Sequence, residues 1–306
     1  MQERRDFIKQ VVAAGALAGT ARGAEAERSL SSDWPIVFFE KPVQALSYDE
    51  IGERLAGMGA QGIEATIRKN GHIKPEQAAK EVPGMLKSLA KSGLKTVIAA
   101  TDITEAGPRT SEFLKVLRDQ GITSYRMGHY RYDNKSRPTE QVAAFRDRLR
   151  KLADLNESLG VHGLYQIHSG AVFVGALVWD IVGMLEGIDP DALGLAYDLR
   201  HTKNDTGSAW KQAAAVAKPH IRSLYVKDAR WEGKRSDKRI NVPLDTGFVT
   251  REVFDHTSRG LKPMPLSLHM EWGNHQIYPA DSAAEAWAMI GQDMKVLRAW
   301  RDGLKG

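Results

Sequence analysis

Residues 142–170 read VAAFRDRLRKLADLNESLGVHGLYQIHSG, and their reading decides the fold. Val142, Phe145, Leu149, Leu152, Leu155 and Leu159 recur at intervals of three or four, the pattern of a helix with one apolar stripe. Gly160 stands where a helix commonly ends in a left-handed residue. The stretch 163–170 then reads as an apolar strand that closes on Gln166, His168 and a Ser-Gly. Positions two apart on a strand share a face, so the amide and the imidazole are expected to point the same way.

The same unit repeats outward in both directions. The strands are PIVFFEK (35–41), GIEATIR (62–68), LKTVIAATDI (94–103), ITSYRMG (122–128), GLYQIHSG (163–170), LGLAYDL (193–199), IRSLYVKD (221–228) and LSLHMEW (266–272). Ser47 and Glu50 form a capping box ahead of Ile51, Leu55 and Met58. Ser282 and Glu285 open a last helix that carries Trp287, Ile290, Met294, Leu297 and Trp300. Gly59, Gly93 and Gly121 repeat the role of Gly160. Alternating strand and helix implies a parallel sheet. Eight such units in about 270 residues match the usual size of a closed barrel. A doubly wound open sheet usually announces itself with G-x-G-x-x-G after its first strand, whereas here Lys41-Pro42-Val43-Gln44 follows. The expected fold is α/β, a (β/α)8 TIM barrel, as a single domain over 35–306.

The first 26 residues read as a segment outside that domain. Arg4-Arg5, Phe7, Ile8 and Lys9 precede a small apolar run from Val11 to Gly19, and Ala24-Glu25-Ala26 fits a cleavage site. The apolar run is shorter than the roughly 20 residues that span a bilayer. The twin arginine resembles a Tat-type signal peptide, which implies the Tat export machinery as a partner and a periplasmic or secreted mature chain, with 27–34 as a short linker. The 306 residues contain no cysteine, which excludes disulfides and thiolate metal sites. The net charge of +5 is spread without a long basic run, so no nucleic-acid partner is expected. The sequence leaves assembly into a homo-oligomer open.

In a barrel of this type, catalytic groups come from the C-terminal strand ends. Those ends carry Glu64, Thr66 and Arg68, then His72; Gln166 and His168; Asp198, Arg200 and His201; Tyr225, Lys227 and Asp228; and His269 and Glu271. Leaving such groups buried and unpaired would cost about 1–3 kcal/mol each. They must therefore satisfy one another, a metal or a substrate.

Taken together, GIEATIRKNGH (62–72), YQIHSG (165–170), YDLRH (197–201), VKDARW (226–231), VPLDTGFV (242–249) and LHMEW (268–272) resemble the xylose isomerase-like barrel superfamily, the sugar phosphate isomerase/epimerase group. The resemblance covers about residues 35 to 300. It implies a divalent metal held by Glu, Asp, His and Glu from strands 5 to 8. Asp198 and Glu271 match two of these positions; Gln166 replaces the strand-5 Glu and Tyr225 the strand-7 His. The expected metal ligands are therefore Asp198, Glu271, Gln166 and His168, holding one Mn, Mg, Co or Zn ion.

A glutamine amide cannot act as a Glu-type base, and His168 is the nearest replacement. The expected catalytic groups are Glu271, His168 and Lys227, the last stabilising an enolate. His201, Arg68, His72, His269 and Trp231 are expected to contact a small carbohydrate. The expected activity is proton abstraction next to a sugar carbonyl, as in an isomerase or epimerase. A lyase or hydratase that cleaves 3-keto-glycosides by β-elimination, needing a base on one face only, is the alternative. A carbohydrate-binding barrel without catalysis is the alternative of another class.

Overall fold

The computed structural model describes residues 34–133, 135–233 and 238–304. The leader over 1–26 and most of the linker lie outside the described residues. Eight parallel strands close on themselves: β1 (Ile36–Phe39), β2 (Gly62–Thr66), β3 (Lys95–Ala100), β4 (Ser124–Arg126), β5 (His162–Gln166), β6 (Leu193–Asp198), β7 (Ile221–Val226) and, after a hairpin, β10 (Leu266–Leu268). The last strand pairs with both β7 and β1, with Phe38 opposite Leu268. The hairpin is β8 (Asp228–Glu232) with β9 (Lys238–Val242), antiparallel and separate from the barrel.

The wrapping helices are α1 (Tyr48–Gly57), α2 (Ala78–Lys91), α3 (Pro108–Asp119), α4 (Pro138–Leu159), α5 (Trp179–Leu185), α6 (Leu199–Thr206), α7 (Trp210–Ala217), α8 (Arg251–Ser258) and α9 (Ala283–Asp302). None of the described helices is long and apolar enough to cross a membrane. Gly59, Gly93, Gly121 and Gly160 all have positive φ, which only glycine adopts without strain. Ser47 caps α1 by accepting from the Glu50 N–H at 3.3 Å, whereas Ser282 makes no side-chain cap on α9.

Outward-facing strand residues such as Ile36, Phe38, Ile63, Ala65 and Tyr165 join the helices in one large core. The inward-facing Val37, Ile98, Leu164, Ala196 and Tyr225 form a separate, smaller cluster that fills the barrel. Two register shifts interrupt the ladder, between Ile63 and Glu64 and between Leu195 and Ala196. Such irregularities re-aim the residues that follow, and these strands deliver Glu64 and Asp198. The hairpin is anchored by Asp228, which accepts from the backbone N–H groups of Ala229, Gly247 and Val249 at 2.7–2.8 Å. A side chain at Gly247 would collide with the Ala229 carbonyl, so VPLDTG needs its glycine there.

One buried amide ties helix to barrel. Asn156 on α4 accepts from the Tyr125 hydroxyl and donates to the Ala192 carbonyl, both at 2.9 Å. Replacing Asn156 with leucine strands both partners, and we expect a loss of about 2–4 kcal/mol in chemical denaturation. A loss under about 0.5 kcal/mol, the range of ordinary surface changes, would contradict this role.

Candidate active site

The inner face of the barrel mouth carries a closed ring of polar contacts. Arg126 Nε lies 2.7 Å from Glu64 Oε1, and Arg126 Nη1 donates to Gln166 Oε1 at 2.6 Å. Gln166 Nε2 donates to Asp198 Oδ2 at 2.9 Å. Lys227 Nζ then bridges Asp198 Oδ2 at 3.1 Å and Glu271 Oε1 at 2.8 Å. His269 returns the ring to its start, with Nδ1 3.7 Å from Glu271 and Nε2 3.3 Å from Glu64. Ser267 donates to Glu64 at 2.6 Å, and Arg200 Nη2 meets Glu271 Oε2 at 2.9 Å. The three carboxylates thus face three permanent cations.

The ring explains why strand 5 ends in an amide. Gln166 must accept from a guanidinium on one side and donate to a carboxylate on the other, which an amide does and a carboxylate does not. These partners fix the orientation of the amide, with its oxygen toward Arg126.

The charged groups are tuned by their neighbours. Burial would raise the Glu64 carboxyl, but Arg126, His269 and Ser267 overcome it and hold the group at about 2. Burial would likewise raise Glu271, yet Lys227 and Arg200 hold it well below the usual carboxylate range. Glu271 is nonetheless the ring member open to the mouth, with a third of its side chain exposed. Burial, followed by the charge of Lys227, lowers His168 to about 4. Burial with Lys227 and Arg200 pushes His201 well below its ordinary value. These imidazoles are neutral at physiological pH.

His168 lies just beyond β5, which ends at Gln166, so the two do not share a strand face as the period-two reading expected. Its Nδ1 is 3.0 Å from the Ser169 carbonyl, so that nitrogen carries the proton and Nε2 keeps a free lone pair. The half-buried ring packs on Phe173 at 4.3 Å and His201 at 4.1 Å. Both nitrogens of His201 are engaged instead: Arg200 approaches Nε2 at 3.1 Å, and Ser169 Oγ approaches Nδ1 at 2.5 Å. Arg239 from β9 donates to the same Ser169 hydroxyl at 2.8 Å, and Asn241 receives Arg200 and donates to the Glu271 carbonyl. The hairpin is thereby fastened over the β5, β6 and β10 side of the mouth.

Several expectations need correction. Gln166 and His168 do not join Asp198 and Glu271 as metal ligands: the Gln166 oxygen is turned to Arg126, and His168 packs against His201, Phe173 and His129. Tyr225, at the implied histidine position, is fully buried with its ring on His269. Among the described residues, no three His, Asp or Glu side chains converge to hold a metal. The donor set does not fit a divalent ion, because Lys227 already lies between the two carboxylates.

His201 and His269 are only 1% exposed and hold other side chains rather than facing a substrate. His72 lies aside from the ring, stacked on Tyr48 at 4.0 Å and 3.4 Å from Glu40. Arg68 caps the Phe39 ring at 5.5 Å and stays at the β2 side of the mouth. Trp231 projects from the hairpin, 43% exposed.

Sequence reasoning assigned no role to Glu64, Arg126, Arg200, Ser169 or Arg239. Arg126 left a signal, the one charge inside the otherwise uncharged strand-4 stretch ITSYRMG.

Trp231 borders a cleft of about 780 Å³, together with Phe173, Leu177, Trp179 and the acids Asp180 and Asp205. Phe173 is shared, touching His168 on its other side. A second cleft of about 720 Å³, lined by His162, Lys218 and Arg222, lies at the opposite barrel end, away from the face that houses active sites in this architecture.

The ring gives a pH-dependent prediction. Gln166→Glu sets a new carboxylate against Asp198, which raises one acid of the pair above its unfolded value. That stability is present at low pH and lost as pH rises through the raised value. Thermal unfolding should show a larger deficit against the wild type at pH 8 than at pH 5. An equal deficit at both would contradict the Gln166–Asp198 contact.

Comparison with known proteins places the fold. No curated protein matches the chain. The probable 3-DHS dehydratase AsbF from Bacillus anthracis superimposes with a TM-score of 0.65 at 16% identity, covering 86% of this chain and 98% of that one. A xylose isomerase-like TIM barrel protein from Mycobacterium smegmatis, in complex with magnesium, gives 0.65 at 13% identity, with 89% and 98% covered. The 3-keto-D-glucoside 4-epimerase YcjR from E. coli gives 0.60 at 13% identity, with 86% and 98% covered. Identities this low show a shared fold. The family model described as xylose isomerase-like TIM barrel matches residues 53–298, and the chain belongs to that family.

Proposed function

We propose that the chain is a carbohydrate-processing enzyme that removes a proton next to a sugar carbonyl with a single base, as an aldose–ketose isomerase does. The observation that carries this reading is the free Nε2 of His168 beside the charge cluster of Lys227, Arg200 and Glu271. A neutral imidazole accepts the proton from the α-carbon. The electron pair moves onto the carbonyl oxygen to give an enediolate, the neighbouring hydroxyl proton passes to that oxygen, and the imidazolium returns its proton to the former carbonyl carbon on the same face as the second oxygen becomes the carbonyl.

Two of the three Lys227 protons are taken by Asp198 and Glu271, leaving the third for the developing oxyanion. Glu271, held ionised and open to the mouth, receives a substrate hydroxyl. A two-base epimerisation is less well served, because Glu64 on the far side is locked to Arg126, Ser267 and His269.

The apolar cleft favours a second reading, β-elimination from a 3-keto-glycoside. One base removes the proton beside the ketone, the pair forms the ring double bond, and the glycosidic oxygen leaves with the aglycone. Trp179, Leu177 and Trp231 offer an apolar surface for such a group next to His168. Arg4-Arg5 and the apolar run after them support export through the Tat machinery, which points to a non-phosphorylated saccharide.

Incubation with a free ketose and with an aryl 3-keto-glucoside in deuterated water tests the proposal. Deuterium uptake without cleavage supports the isomerase, and aglycone release supports the lyase. Neither would overturn catalysis and leave a binding protein. His168→Gln should lower exchange by roughly 10²–10⁴-fold. In the wild type kcat/KM should fall as pH drops through about 4, where the His168 imidazole charges, and the variant should lack that limb. If the aryl glycoside is the substrate, Trp231→Ala should raise its KM with kcat unchanged; an unchanged KM would remove Trp231 from the site.

A further inference from the structure

We infer that Lys227 is the resident cation of this site, filling the position between the β6 and β10 carboxylates so that the chain folds and acts without a divalent metal. The catalytic half of this inference rests on the reading above; the metal-free half rests on geometry alone. Lys227 Nζ is within hydrogen-bond reach of Asp198 and Glu271 together, and its side chain is only 3% exposed. Both other implied ligand positions have changed to residues with different commitments. The Gln166 oxygen serves Arg126, and Tyr225 is a phenol packed under His269. Of the nearby imidazoles, His201 has Nδ1 against Ser169 and Nε2 against Arg200, and His269 has Nε2 turned to Glu64 with Nδ1 3.7 Å from Glu271, itself held by Lys227.

Charge balance points the same way. Glu64 faces Arg126, Asp198 faces Lys227, and Glu271 faces Lys227 and Arg200. A divalent ion entering here would have to expel a buried ammonium from both of its partners, and a buried charge left without partners is strongly destabilising. The lysine therefore performs two tasks. It holds Asp198 and Glu271 in one arrangement, and it supplies fixed positive charge where an enolate oxygen would form.

Electron paramagnetic resonance of Mn2+ titrated with the purified full chain tests the metal-free half directly. The free-ion signal should be unchanged by equimolar protein. Loss of one equivalent of signal that Glu271→Gln restores would overturn the inference. For the catalytic half, Lys227→Ala should lose roughly 10²–10³-fold in turnover. Methylammonium should recover part of it, and Mn2+ none. Recovery by Mn2+ would overturn the assignment. Should that variant not fold, the wild-type titration and turnover in excess EDTA decide the matter, with unchanged turnover expected and loss of turnover contradicting it. A chain that binds no Mn2+ and exchanges no sugar proton would remove the proposed activity while leaving the metal-free site intact.

Discussion

One ammonium holds two carboxylates together at the mouth of this barrel, and the arrangement of the other polar side chains follows from it. With Lys227 between Asp198 and Glu271, Asp198 Oδ2 receives both Lys227 and Gln166 while Oδ1 accepts from the His201 backbone N–H, and Glu271 has its second oxygen left for Arg200. Gln166 passes the chain of contacts to Arg126, Arg126 to Glu64, and Glu64 through His269 back to Glu271. The ring draws members from β2, β4 and β5, from the end of β6, and from just beyond β7 and β10. It closes only because the strands form a cylinder. In an open sheet the contact between His269 and Glu64 would be lost.

The barrel below the ring makes these contacts strong. The apolar plug of Val37, Ile98, Leu164, Ala196 and Tyr225 keeps water from the underside. Ion pairs set in such surroundings are screened less than surface pairs. The same burial keeps His168 and His201 neutral, and the hydrogen bonds divide their roles. His201 is a fixed link between Arg200 and Ser169, while His168 retains a free nitrogen at the rim. Gln166 and Tyr225, standing where the sequence resemblance implies a carboxylate and an imidazole, and Lys227 between Asp198 and Glu271 thus belong to one arrangement, beside which His168 keeps its free nitrogen.

The fold was legible because its signals are local. Apolar stripes, glycines after helices and eight apolar runs are each written within ten or twenty residues, and all eight runs became barrel strands. The hairpin escaped because KRINV, its second strand, is mostly polar and exposed and carries no core pattern. At the site, the sequence displayed which polar residues end the strands but not whom they face. His201 and His269 looked like substrate contacts because burial is not written in a strand-end residue; each is enclosed by side chains from elements far away in the chain. Gln166 and His168 looked like a pair because the strand was read four residues too long, to 170 rather than to Gln166. Arg126 was overlooked because it lies inside a short strand, although it neutralises Glu64 and orients Gln166.

The most direct measurement is a crystal structure of the full chain grown in excess Mn2+, with anomalous scattering recorded at the manganese edge. The account predicts continuous lysine density from Lys227 reaching both Asp198 and Glu271, with no anomalous peak between them. A strong peak there, with the Lys227 side chain swung away, would contradict it.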